Sequence, residues 1–95
     1  MYLLPALCFI AGCNYPEWVG KYKSSENCLT LEYVEFFPDK TADIKYYSAP
    51  WPVNRPLKVE GNFLNVEGFR FEYRDNSVHE VSGLEWGCVM RRDTL

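Results

Sequence analysis

Phe69-Arg-Phe-Glu-Tyr-Arg74 alternates apolar and charged side chains without a fault. Strand side chains point to opposite faces with a period of two. Phe69, Phe71 and Tyr73 therefore share a face that must be covered, while Arg70, Glu72 and Arg74 face water. The reading extends in both directions. Upstream, Leu57-Lys-Val-Glu60 and Phe63-Leu-Asn-Val66 flank Gly61-Asn62, a two-residue turn of the kind that joins tight hairpins. Glu67-Gly68 turns again. Downstream, Asp75-Asn-Ser77 is a turn, and Val78-His-Glu-Val81 and Leu84-Glu-Trp-Gly-Cys-Val-Met-Arg91 read as strands separated by Ser82-Gly83.

The first half follows the same rule. In Cys28-Leu-Thr-Leu-Glu-Tyr-Val-Glu-Phe-Phe37, Leu29, Leu31 and Tyr33 lie on one face, and Cys28, Thr30, Glu32 and Val34 on the other. The alternation slips between Val34 and Phe37, which predicts a bulge or a strand end there. Pro38-Asp-Lys-Thr41 is a turn, after which Ala42, Ile44 and Tyr46 share a face. Trp18, Gly20 and Tyr22 share another. Ser48-Ala-Pro-Trp-Pro-Val-Asn-Arg-Pro56 holds three prolines, so this stretch is expected to form an irregular loop rather than a ladder. No window shows a sustained helical period. About eight short strands with regular turn signals predict an all-β fold, an antiparallel meander over residues 18–95 forming a barrel or sandwich. Closing the sheet into a barrel is the economical way to remove its edges.

The 95 residues carry 10 basic and 13 acidic side chains, a net charge of −3, with the signs interspersed. No basic stripe exists, so nucleic-acid binding lacks its electrostatic footprint. His79 is the sole histidine, and Ser77, Glu80 and Ser82 are near it only in sequence, not in the converging arrangement a triad needs. Cys28, Cys88 and one His lack metal-ligand spacing, and Asp39-Lys-Thr-Ala-Asp43 lacks the rest of a calcium loop. The chain is expected to be non-enzymatic, with no cofactor or metal.

The first thirteen residues read Met1-Tyr-Leu-Leu-Pro-Ala-Leu-Cys-Phe-Ile-Ala-Gly-Cys13, and no charge occurs before Glu17. Pro5 argues against a core helix or central strand, and the run is shorter than the ~20 residues a membrane span needs. A large aliphatic residue, two small ones and a Cys resemble the lipobox of bacterial lipoprotein signal peptides. The resemblance implies that residues 1–12 are a signal peptide cleaved before Cys13. Ile10, Ala11 and Gly12 would be the recognition residues, and Cys13 would carry the lipid. No Lys or Arg precedes the apolar run, so the leader is expected to begin a few codons upstream. Residues 13–17 would be a short lipidated tether, and Asn14 resembles the outer-membrane sorting pattern of enterobacterial lipoproteins. The implied place is the periplasmic face of the outer membrane, held through the lipid anchor. Four cysteines allow three pairings. The resemblance implies that Cys8 leaves with the leader and Cys13 is acylated, so Cys28 and Cys88 would pair in an oxidising compartment. Two buried, reduced thiols are the alternative.

Trp18-Val-Gly-Lys-Tyr22 with Phe37-Pro-Asp-Lys-Thr-Ala42 resembles the opening of small calycin-like bacterial domains, W-x-G-x-Y followed by F-x-D-G-T, with Lys40 where Gly is usual. That resemblance implies a small up-and-down barrel. Ser82-Gly-Leu-Glu-Trp86 is similar to the S-G-x-x-Y motif of periplasmic lysozyme inhibitors, with Trp86 in place of Tyr. It implies inhibition of a cell-wall hydrolase through Ser82, Gly83 and Trp86. Trp51, bracketed by prolines, is a candidate for a recognition surface with Arg55, Tyr46 and Tyr47, or a lid over one barrel end. The expected role is binding or structural, with an envelope protein as partner. The alternatives are the hydrolase inhibitor and a small-ligand carrier with a barrel cavity.

Overall fold

A computed structural model describes residues 15–85 and 87–93. The lipobox residues Ile10 to Cys13, with Cys8, and the motif residue Trp86 lie outside the described residues. The chain forms nine strands: β1 (Gly20–Glu26), β2 (Leu31–Phe36), β3 (Thr41–Tyr46), β4 (Val53–Pro56), β5 (Lys58–Glu60), β6 (Phe63–Val66), β7 (Phe69–Arg74), β8 (Ser77–Glu80) and β9 (Val89–Arg92). They make one antiparallel sheet in the order β4-β3-β2-β1-β9-β8-β7-β6-β5. The fold is the all-β meander that the alternation predicts, curled into a nearly closed barrel.

The two ends of the sheet, β4 and β5, are neighbours in the chain, separated by Leu57 alone. One bent run thus serves both edges. Its first half pairs with β3, from Ile44↔Val53 to Thr41↔Pro56, and its second half with β6, from Lys58↔Asn65 to Glu60↔Phe63. The buried Leu57 side chain marks the bend, and its amide donates to the carbonyl of Lys40 at 2.9 Å. This corrects the expectation that Ser48 to Pro56 is all loop. The loop is 47–52, and Pro56 is tolerated because it ends an edge strand.

Two further boundaries differ from the sequence reading. The slip in β2 falls between Leu31 and Tyr33, where the pairing with β3 shifts register, not between Val34 and Phe37. Leu31, Val34 and Phe36 consequently point inward and Leu29 is exposed. Leu84, Glu85, Gly87 and Cys88 lie in no strand, and β9 begins only at Val89. The Glu85 amide goes to the Glu80 carboxylate and the Cys88 amide to the Glu85 carbonyl, so neither joins a ladder.

Tyr22, Leu31, Val34, Phe36, Ile44, Leu64, Phe71, Val78, Cys88 and Met90 are fully buried. Phe36 is the centre of an aromatic chain: edge-on to Trp18 (6.4 Å between centroids), Tyr22 (5.7 Å) and Phe71 (5.9 Å). Phe71 stacks on Phe69 at 5.8 Å, and Phe69 meets Tyr46 at 6.5 Å. Each such pair contributes about 0.5–1.5 kcal/mol beyond area burial.

The W-x-G-x-Y residues act together. The Tyr22 hydroxyl donates to the carbonyl of Trp18 at 2.9 Å. The Arg92 guanidinium, from the last strand, lies over the Tyr22 ring at 4.9 Å. It donates to the carbonyls of Val19 (2.8 Å) and Glu17. Burial pushes the Tyr22 hydroxyl well above the usual phenol range, against a smaller pull downward from Arg92. Gly20 (φ +143°) makes room for this: a Cβ there would collide with Arg92 Nη1. At the turn between β2 and β3, Lys40 holds φ +66°, a left-handed value that Gly adopts without strain. Two substitutions should therefore move stability in opposite directions. Gly20→Ala should destabilise by about 1–3 kcal/mol, and Lys40→Gly should stabilise by up to about 1 kcal/mol. Chemical denaturation reads both, and a stabilised Gly20→Ala protein would contradict the packing described.

Candidate functional site

In an antiparallel meander, successive connections alternate between the two ends of the barrel. The 27–30, 47–52, 67–68 and 81–88 connections therefore share one end. The 37–40, 61–62 and 75–76 turns share the other, where the chain enters before Gly20 and leaves after Arg92. Contacts agree with this placement. The Tyr47 amide donates to the carbonyl of Thr30 at 2.9 Å. Leu84 Cδ1 lies 3.9 Å from where a Cβ on Gly68 would stand.

The exposed large apolar residues of the described domain beyond Tyr15 are Leu29, Tyr47, Trp51, Val81 and Leu84. All five lie on loops at the 27–30 end. Trp51 is 77% exposed; it stands out from its loop rather than folding over the barrel as a lid. The four connections at this end contain only two charged residues, Glu67 and Glu85. Glu67 pairs with Arg55 at 3.2 Å, and Glu85 is buried. The result is an apolar, nearly uncharged end on a barrel whose walls carry ion pairs such as Lys45–Glu32 and Arg91–Glu26. Arg55 lies on β4, not in the loop with Trp51, and its pairing with Glu67 joins β4 to the turn between β6 and β7.

Two buried acids, not singled out in the sequence, build this end. Glu80 and Glu85 are 2% and 3% exposed. Glu80 Oε1 accepts from the Glu85 amide at 3.1 Å, and Oε2 accepts from the amide (2.8 Å) and the hydroxyl of Ser82. Glu85 Oε1 accepts from the amides of Leu29 (3.0 Å), Thr30 (2.9 Å) and Leu31 (3.3 Å), while Oε2 accepts from the Thr30 hydroxyl at 2.6 Å. Glu80 thus shapes the 81–88 loop from within, and Glu85 fastens that loop to 29–31. Beside them, Cys28 and Cys88 form a disulfide with Cα atoms 4.4 Å apart. Among the described residues, no buried side-chain nitrogen or oxygen lacks a hydrogen-bond partner. Ser82 and Gly83 are exposed on this same loop. The only advance signal for Glu85 was an acid set among Gly, Leu and Trp, which strand alternation reads as an outward residue.

His79 lies half-buried on β8, with Ser77 Oγ 3.3 Å from its Nε2. Burial, helped by Arg74, lowers its pKa. The Ser77 hydroxyl donates to the carbonyl of Arg74 at 2.6 Å, so it is committed to the turn. At the opposite end, a shallow depression of about 420 Å³ is lined by Phe37, Pro38, Asp39, Thr41, Asp43 and Asn54. Its donors are spent on one another: Thr41 on Asp39, and Asn54 on Asp43 and Thr41.

Burial alone would raise the Glu85 carboxyl, but the bonds from Thr30, Leu31 and Leu29 outweigh it and hold it below the usual carboxylate range. A carboxyl depressed on folding contributes stability in full above its unfolded pKa of about 4.3, and the contribution fades as pH falls through the folded value. Burial lifts Glu35 instead, so Glu35 costs stability at neutral pH and that cost is relieved by acid. Glu85→Gln should cost about 1.5–3 kcal/mol at pH 7, the range of a charged hydrogen bond. The deficit against wild type should shrink below about pH 4. Denaturation curves at several pH values check this; a deficit that persists unchanged at low pH would assign the loss to shape rather than charge. Compared with family models, with curated proteins and with solved structures, the chain matches none.

Proposed function

We propose that this chain is a small lipid-anchored protein of the bacterial cell envelope that acts by binding a protein partner at the apolar end of its barrel. Cys13 is the attachment point in this reading. The observation that carries it is the placement of Leu29, Tyr47, Trp51, Val81 and Leu84 together at one end, while the chain enters at the other. An anchor just before Tyr15 holds the near end to the membrane and turns the apolar end away from it. Apolar and aromatic side chains that stay largely exposed on separate loops add little to the fold, and Trp and Tyr supply much of the binding energy where proteins meet. A carrier is the weaker reading, because the barrel interior is occupied by Tyr22, Phe36, Phe71, Leu64 and Met90.

A second reading, inhibition of a lysozyme-type cell-wall hydrolase, is favoured by one observation. Ser82 and Gly83 are exposed on the same end as Trp51 and Leu84. This reading supplies a partner for the first one.

Two measurements test these statements. The intact mass of the membrane-fraction protein should show loss of everything before Cys13 and gain of acyl chains; an unprocessed chain free of lipid would remove the anchor. A photo-cross-linking residue at Leu84 should give a discrete adduct in cells, and Trp51→Ala should reduce it by about tenfold or more while shifting stability by less than about 0.5 kcal/mol. An equal adduct from Trp51→Ala would sink the docking surface. Retention of purified lysozyme that Trp51→Ala abolishes would name the partner class, and no retention at low salt removes the inhibitor reading.

A further inference from the structure

The docking end is apolar at its surface and anionic beneath. Its four connections hold two acids, Glu67 and Glu85, and no base, and Glu80 adds a third acid at the end of β8. Of these three, Glu67 meets a cation, Arg55. Glu80 and Glu85 make no ion pair among the described residues. Each accepts hydrogen bonds at both oxygens, the pattern of a carboxylate rather than a carboxylic acid. Burial opposes charge on Glu85, but the bonds from Thr30, Leu31 and Leu29 hold its carboxyl below the usual range. Amides and hydroxyls satisfy these oxygens and leave the negative charge in place. The flanking wall brings no cation to spare, since Arg91 is paired with Glu26 and Lys45 with Glu32.

We infer that the partner at this end presents a cationic protein surface, apolar at its centre and rimmed by Lys and Arg, an inference that rests on the binding role proposed above. Apolar side chains alone admit many occupants, and charge selects among them. Salt screens a buried charge less than an exposed one, so the field of Glu80 and Glu85 reaches the surface that carries Val81 and Leu84. Docking also strips water from above the two carboxylates. A neutral cover deepens their burial cost, and a cation brought close offsets it.

The exposed rings suit the same partner. Trp51 and Tyr47 are the exposed aromatics of this end, and the Tyr47 hydroxyl is hydrogen-bonded to Ser24 Oγ at 2.5 Å. The faces of such rings attract Arg and Lys, that of Trp most strongly. Arg is enriched where proteins meet. A second copy of this chain would set the end against itself and bring like charges together. An anionic lipid surface meets the same repulsion.

Photo-cross-linking from position 84 in isolated envelope membranes, run across a salt series, tests the inference. The protein adduct should fall about tenfold or more between about 50 and about 500 mM NaCl, because salt screens attraction between charged surfaces. Ser48 is exposed on the 47–52 connection, where a new charge disturbs the fold little. At low salt, Ser48→Lys should lower the adduct and Ser48→Glu should raise it, by about threefold each. Both variants should unfold at the same denaturant concentration as wild type. An adduct that ignores both salt and the sign at position 48, or grows with salt, overturns the inference and leaves the docking surface standing. An adduct with a second copy of the chain also overturns it. The absence of any protein adduct at low salt removes the docking surface, and the inference with it.

Discussion

A sheet of short strands must hide its edges, and here that requirement falls on the single run from Val53 to Glu60. It bends at Leu57, gives one edge to β3 and the other to β6, and so lets the two ends of the sheet meet in the same piece of chain. Everything else follows from that closure. The interior becomes a tube that aromatic rings fill, from Trp18 through Phe36 and Phe71 to Phe69 and Tyr46. The connections are sorted onto two ends. Pro56 is compatible with the run because it lies at an edge, and Pro50 and Pro52 fall in the loop before it.

The strands were legible wherever alternation was clean. Phe69 to Arg74, Ala42 to Tyr46 and the Gly61-Asn62 turn stand where the period of two puts them. Faces were misassigned where one residue of register was lost, as at Leu31 to Tyr33, because a bulge reverses every side chain beyond it. The 84–88 segment was misread for a different reason. Its apolar residues suit a strand, and its acid, Glu85, is satisfied by amides 54 to 56 positions earlier in the chain. Local pattern carries no record of such a partner. The apolar end was equally hidden: Leu29, Trp51 and Leu84 read as scattered residues until the topology gathers their loops.

The two ends of the barrel differ in what they spend charge on. At the entry end, Arg92 collects carbonyls from Glu17 and Val19 and ties the first described residues to the last strand. At the far end, Glu85 does the reverse, collecting amides with a carboxylate. Each is a charge withdrawn from the surface and turned to holding backbone. At the far end this leaves loops that are apolar outside and ionic within, with Glu67, paired to Arg55, as the exposed charge on them.

The pairing of the first strand with the last has a bearing on how the chain matures. β1 finds its second neighbour only in β9, near the end of the sequence. A growing polypeptide therefore cannot complete its ring until Val89 to Arg92 have emerged. Through that interval the aromatic spine has no lid of sheet over it, and open strands at both margins invite association with other chains. Such a fold favours late, fast zippering of β9 between β1 and β8.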